Sequence, residues 1–257
     1  MAKKRMLIDM SKCIACKACQ IACQQWHQLP AEDTSFTGSY QNPEDLSVAN
    51  LTLTRFSEVG NNGDLRWLFF VDRCRHCEDP QCKEACPLNA IKVNKKGMVF
   101  IKAKCSPTKK DPTDVVRVDY CSDNDVKPCQ LACPFKRSPD PALGIPRYRL
   151  NNGDTLPDGR TNKCDFCYDR WTNTALKAPP FAGVFAKSKK SACEIVCPTG
   201  AIKTGGNDKM RRKARRRVKY LQANGYPNAN VYPAEYQTQV IWVLLDEPSV
   251  YGIVGPY

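Results

Sequence analysis

Sixteen cysteines in a chain of 257 residues fall into four groups of four, and nothing else in the sequence restricts the fold as much. Cys13, Cys16, Cys19 and Cys23 read C-x2-C-x2-C-x3-C. Cys74, Cys77, Cys82 and Cys86 read C-x2-C-x4-C-x3-C-P. Cys105, Cys121, Cys129 and Cys133 are spread more widely but also end C-x3-C-P, and Cys164, Cys167, Cys193 and Cys197 begin C-x2-C and end C-x3-C-P. A cubane iron–sulfur cluster takes four thiolates, and the compact run ending in C-P is the bacterial ferredoxin spacing. The pattern predicts four [4Fe–4S] clusters, or three if the stretched third group is not a cage.

In two-cluster ferredoxins the fourth cysteine of each run ligates the other cluster. An internal repeat suggests which groups pair: Cys82–Val93 (CKEACPLNAIKV) and Cys193–Thr204 (CEIVCPTGAIKT) share C-x3-C-P-x2-A-I-K. Nesting the first group with the fourth and the second with the third gives four expected ligand sets. They are Cys13, Cys16, Cys19 with Cys197; Cys164, Cys167, Cys193 with Cys23; Cys74, Cys77, Cys82 with Cys133; and Cys105, Cys121, Cys129 with Cys86. The last set rests on the group with the longest gaps.

Other uses of cysteine fit less well. Disulfides need an oxidising compartment, for which the chain carries no signal. Zinc accepts paired C-x2-C, so a zinc-stabilised binding module remains an alternative. Covalent haem needs C-x-x-C-H, which is absent. Of the two histidines, His27 and His76, His76 lies within C-R-H-C near a cage, and a surface or packing role is the simpler expectation for it.

The remaining segments read as short elements around these groups. Ile91–Val93 and Met98–Lys102 flank a glycine-containing turn, a β-hairpin signal. Leu51–Phe56 alternates as a half-buried strand, and Leu65–Val71 returns after the Asn61-Asn62-Gly63-Asp64 turn. Asp208–Gln222 reads as a helix with Met210, Ala214 and Val218 on one face and lysines and arginines on the other. Asn207 is the expected cap and Asn224-Gly225 the stop. Val240–Leu245 reads as a late buried strand. The expected fold class is α+β, with two interleaved two-cluster ferredoxin-like modules, residues 1–30 plus 160–206 and residues 71–159. A small β insertion covers 31–70, and a basic helix and strand extension covers 207–257.

A formal charge of +13 suggests an acidic partner or nucleic acid. Four oxidised clusters with their thiolates would bring roughly −8 and leave a net charge of roughly +5. Much of the basicity then offsets cluster charge, and no nucleic-acid role is expected. Trp67–Val71 and Val240–Leu245, the longest apolar runs, fall far short of the roughly 20 residues of a spanning helix. The basic N-terminus reaches Cys13 before any apolar stretch, unlike a secretory signal. Nucleotide loops and nucleophile elbows are absent as well, which leaves one-electron transfer as the chemistry.

The quartets and the CPTGAI run resemble the four-cluster iron–sulfur subunits of molybdopterin oxidoreductases over most of the chain. Narrower features resemble the formate dehydrogenase β subunit: CKACQIACQQWHQLPAE at Cys16–Glu32, TGSYQNPEDLS at Thr37–Ser47, RHCEDPQC at Arg75–Cys82, CDFCYDR at Cys164–Arg170 and VIWVLLDEPSVYG at Val240–Gly252. The resemblance implies a large catalytic partner with a molybdenum or tungsten bis-pterin guanine dinucleotide centre, where formate and carbon dioxide interconvert. This chain would then be a non-catalytic subunit relaying electrons to an external acceptor, a cytochrome or another redox protein. Membrane-bound relatives continue into a C-terminal transmembrane helix, whereas this sequence ends at Tyr257, so the expectation is a soluble complex or contact with a membrane subunit through protein surfaces alone. The resemblance favours a periplasmic location by co-export with the catalytic subunit and is also compatible with a cytoplasmic one. The equivalent subunit of another molybdopterin enzyme or of a hydrogenase is the alternative of the same class, and a free-standing polyferredoxin is one of a different class.

Overall fold

The computed structural model describes residues 3–36, 38–60, 63, 65–102, 105, 126–137, 144–157, 159–172, 188–234 and 237–254. Its largest sheet joins the two ends of the chain. β1 (Lys4–Asp9) pairs antiparallel with β7 (Ile202–Gly206) and parallel with β9 (Val240–Leu244), which pairs antiparallel with β8 (Asn230–Tyr232). The strand order is β7-β1-β9-β8.

Successive side chains of a strand point to opposite faces, and this alternation divides the molecule into two layers. Leu7 of β1 and Ile241 and Val243 of β9 face α6 (Asn207–Gln222), where they pack with Met210, Ala214 and Leu221. Met6, Ile8, Val240, Trp242 and Leu244 face the other way, into the core that holds the cysteines. The predicted apolar face of the basic helix is therefore the one buried, with Val218 half-buried beside it. Asn207 is not the cap: Gly206 occupies that position, and Asn207 opens the helix with its N–H donated to the Lys3 carbonyl at 3.3 Å. The stop is as expected, with Gly225 at φ +89° just past the C-terminus.

Three further strand pairs surround the cysteine core. β2 (Thr52–Val59) and β3 (Arg66–Arg73) form the expected antiparallel hairpin of the insertion, with Leu53 opposite Asp72 and Phe56 opposite Phe69. β4 (Ile91–Val93) and β5 (Val99–Ile101) form the smaller predicted hairpin, turning through Gly97 at φ +84°. β6 (Lys136–Arg137) pairs with β10 (Ile253–Val254). The fold is mixed, with short helices and small sheets. No helix among the described residues is long and apolar enough to cross a membrane.

Candidate iron–sulfur centres

The cysteines sit on two kinds of local structure. The first is a tight loop, built the same way three times. In Cys13–Cys16, Cys74–Cys77 and Cys164–Cys167 the residue before the second cysteine is left-handed: Ala15 at φ +54°, His76 at +51° and Phe166 at +66°. None is a glycine, and each such conformation costs about 1–3 kcal/mol. The turn aims a backbone N–H at the first cysteine of each loop, with N···Sγ distances of 3.5 Å at Cys13, 3.4 Å at Cys74 and 3.4 Å at Cys164. Three strained loops converging on one hydrogen bond fit sulfurs that carry charge.

The second is a short helix with cysteines four residues apart, about 6 Å along the axis. α1 (Ala18–Trp26) carries Cys19 and Cys23, and α5 (Ala192–Val196) carries Cys193 with Cys197 at its C-terminal cap. α2 (Gln81–Glu84) carries Cys82 with Cys86 just beyond, and α3 (Pro128–Leu131) carries Cys129 with Cys133 just beyond. α1 packs against α5, and α2 against α3.

Together these elements bring the sulfurs into groups. Cys13, Cys16, Cys19 and Cys197 line one recess of about 340 Å³ with Thr54, Val71 and Ile202. Cys74, Cys77, Cys82 and Cys133 line another of about 350 Å³ with Val99, Phe135 and Lys163. Cys23, Cys164, Cys167 and Cys193 are all buried and share two basic side chains. Arg73 donates from Nη2 to Cys164 Sγ at 2.6 Å and from Nη1 to Cys193 Sγ at 3.0 Å. His27 contacts both Cys23 and Cys167, and its Nε2 lies 3.2 Å from Asp165 Oδ1. Of the last expected set, Cys129 packs with Ile91 and Val99 in a small core that Cys86 joins from its edge. Cys105 is buried just after β5, and Cys121 lies outside the described residues.

Without a cation beside them, the buried sulfurs of this core resist ionisation. Burial pushes Cys19 up to about 12, with Cys193 adding to the shift. Burial likewise pushes Cys82 up to about 12, opposed by Lys163 and reinforced by Cys74 and Cys133. Crowded, buried thiols of this kind ionise together only around cations. An all-sulfur donor set suits iron–sulfur clusters or zinc, so the residues present fit the group that their spacing predicts.

His76 departs from the sequence expectation. It is fully buried, accepts the Val99 N–H at Nδ1 (3.0 Å) and places Nε2 3.5 Å from Cys164 Sγ. Burial, Lys163 and Arg73 all depress its pKa, so the ring is neutral; with Nδ1 accepting, the proton sits on Nε2 and points at the sulfur. Sequence reading also missed Arg73 and Lys163. A lone basic residue beside C-R-H-C or C-D-F-C carries no mark of burial.

A family model for a 4Fe–4S dicluster domain matches residues 65–180. The nitrate-inducible formate dehydrogenase iron–sulfur subunit of Escherichia coli K12 is 37% identical over 255 residues, 97% of this chain and 71% of that protein. The chain belongs to the iron–sulfur subunits of formate dehydrogenase. Formate dehydrogenase 2 subunit beta (cytochrome c-553) of Nitratidesulfovibrio vulgaris Hildenborough is 34% identical, with 96% of both chains covered. The hydrogenase-2 operon protein HybA of Escherichia coli O157:H7 is more distant, at 26% identity over 86% of this chain and 57% of its own. As a member of this family, the chain is an iron–sulfur electron-transfer subunit of an oxidoreductase complex and not its catalytic subunit.

Proposed function

We propose that this chain carries single electrons through four [4Fe–4S] clusters between a formate-oxidising molybdenum or tungsten pterin subunit and an external acceptor. The proposed ligands are Cys13, Cys16, Cys19 and Cys197 for the first; Cys23, Cys164, Cys167 and Cys193 for the second; Cys74, Cys77, Cys82 and Cys133 for the third; and Cys86, Cys105, Cys121 and Cys129 for the fourth. When bound, a cubane of this type supplies one-electron exchange.

The observation that carries this reading is the neighbour order of the groups. Cys193 of the second set lies within electrostatic reach of Cys19 of the first. Cys164 of the second set lies within electrostatic reach of Cys74 of the third. Cys82 of the third packs in one small core with Cys129 of the fourth. Adjacent sets within electrostatic or packing reach of one another support a relay. The swapped fourth cysteines produce this order, because α1 and α5 each lend one cysteine to the first set and one to the second. The same exchange through α2 and α3 supports two interleaved modules.

Formate as the substrate of the complex follows from the relatives, two of which are named for formate dehydrogenase. The test is purification of the native complex, with iron analysis and dye reduction on formate and on hydrogen. About sixteen iron per chain with formate-dependent reduction is the expected result. About twelve iron would remove the fourth cluster, and hydrogen-dependent reduction alone would replace the formate assignment.

A further inference from the structure

Two arginines stand two residues apart at the end of β3, and their charges are met differently. Arg75 is buried against Asp72, whose Oδ1 accepts from Nη1 at 2.5 Å. Its guanidinium also lies over the rings of Phe70, Phe135 and Trp242. Arg73 is as deeply buried, at 1% exposure, yet its contacts are sulfurs. Cys164 Sγ lies at 2.6 Å, Cys193 Sγ at 3.0 Å and Met6 Sδ at 3.3 Å. Among the described residues no carboxylate pairs with it, and its Nε has no hydrogen-bond acceptor.

Lys163 repeats the pattern beside it. It is 2% exposed, and its Nζ donates to the carbonyls of Val99 (2.6 Å) and Cys164 (2.9 Å). Its ammonium lies within electrostatic reach of Cys74, Cys82 and Cys164. Asp165 also acts on it electrostatically, although the closest partner of that carboxylate is His27 at 3.2 Å.

A buried ion with no counter-charge is strongly unfavourable. Among the described residues, the anions positioned to balance Arg73 are the thiolates it touches. A cation fixed at that distance stabilises the state of the centre that carries one more negative charge, which is the reduced state. We propose that Arg73 sets the potential of the second centre of the relay, raising it relative to the first, with Lys163 adding a smaller effect from the side facing the third. The electron arrives from one neighbouring centre and leaves to the other. Arg73 stays protonated throughout and exchanges neither proton nor electron.

The inference rests on the reading that Cys23, Cys164, Cys167 and Cys193 hold one cluster. The experiment is a potentiometric titration followed by electron paramagnetic resonance, on the purified complex carrying Arg73→Met, Arg73→Lys or Lys163→Met, with iron counted in each. Arg73→Met should keep its iron and shift one cluster's reduction equilibrium at least tenfold against reduction, about 59 mV for a one-electron couple. Arg73→Lys should recover most of that shift, and Lys163→Met should move in the same direction by less. Wild-type potentials in an iron-complete Arg73→Met protein would overturn the proposal. So would equal shifts in Arg73→Met and Arg73→Lys, because shape and not charge would then be responsible. If Arg73→Met sheds iron, Lys163→Met decides: wild-type potentials there, or loss of iron there too, would leave the cations a structural role only. The underlying cluster reading fails separately, if Cys164→Ser retains the iron content and spectrum of the wild-type complex.

Discussion

The first and second cysteine sets are built from the same pair of helices and the same kind of loop, yet they live in opposite surroundings. In the first, Cys16 is exposed and Cys13 and Cys197 are half-buried. Ile14, at 60% exposure, lines the same recess. Among the described residues, the side-chain hydroxyls that meet its sulfurs are distant, Thr54 Oγ1 at 3.9 Å from Cys19 and Thr199 Oγ1 at 3.7 Å from Cys197. In the second, every sulfur is buried, and Arg73, His27 and His76 surround the group. The same C-x2-C loop and C-x3-C helix thus give an outward-facing group of sulfurs and an inward one, and protein environment of this kind is what tunes iron–sulfur centres.

The hardest test of that contrast removes an inner ligand. Cys164→Ser should cost about four iron per chain and stop formate-dependent electron delivery through the complex, read by iron analysis and acceptor reduction. Retention of both would mean that these sulfurs do not form one centre. Next in size is Asp72→Asn. Asp72 is fully buried between Arg55 (2.8 Å) and Arg75 (2.5 Å). Breaking a buried ion pair from one side costs about 3–5 kcal/mol. The strand it anchors supplies Val71 to the first recess and Arg73 to the second set. A lower denaturation midpoint with loosened iron in both centres is expected, and an unchanged midpoint would detach the centres from this wall.

Much of this was legible in the cysteine spacing and in hydrophobic periodicity. The β2–β3 and β4–β5 hairpins and the buried face of α6 follow from alternation and a 3.6-residue period. β1 was not legible as the centre of a sheet, because Lys4–Asp9 gains its partners β7 and β9 from about 200 residues away. The left-handed loop residues Ala15, His76 and Phe166 carry no glycine signal, since their conformation follows from the sulfur they serve. Arg73 and Lys163 carry no sequence mark for a similar reason. What permits their burial is a counter-charge on a prosthetic group, and no pattern of side chains encodes that.

Chelation should separate the two centres by rate. With Cys16 open to solvent and all four inner sulfurs buried, a hydrophilic iron chelator should first release about four iron per chain, and the remainder more slowly. The first phase should coincide with loss of the outer centre's resonance, and simultaneous release from both centres would erase the distinction between them. The mildest change sharpens it from the other side. Thr54→Val removes the side-chain donor to Cys19, but at 3.9 Å from sulfur that contact is at the limit of a hydrogen bond. Its loss should alter stability by no more than about 1 kcal/mol. It should shift the outer centre's potential by less than tenfold in equilibrium, under about 59 mV. A shift as large as that of Arg73→Met would mean that hydroxyl and guanidinium donors act alike on these sulfurs. Proximity and not charge would then be what distinguishes the inner centre from the outer.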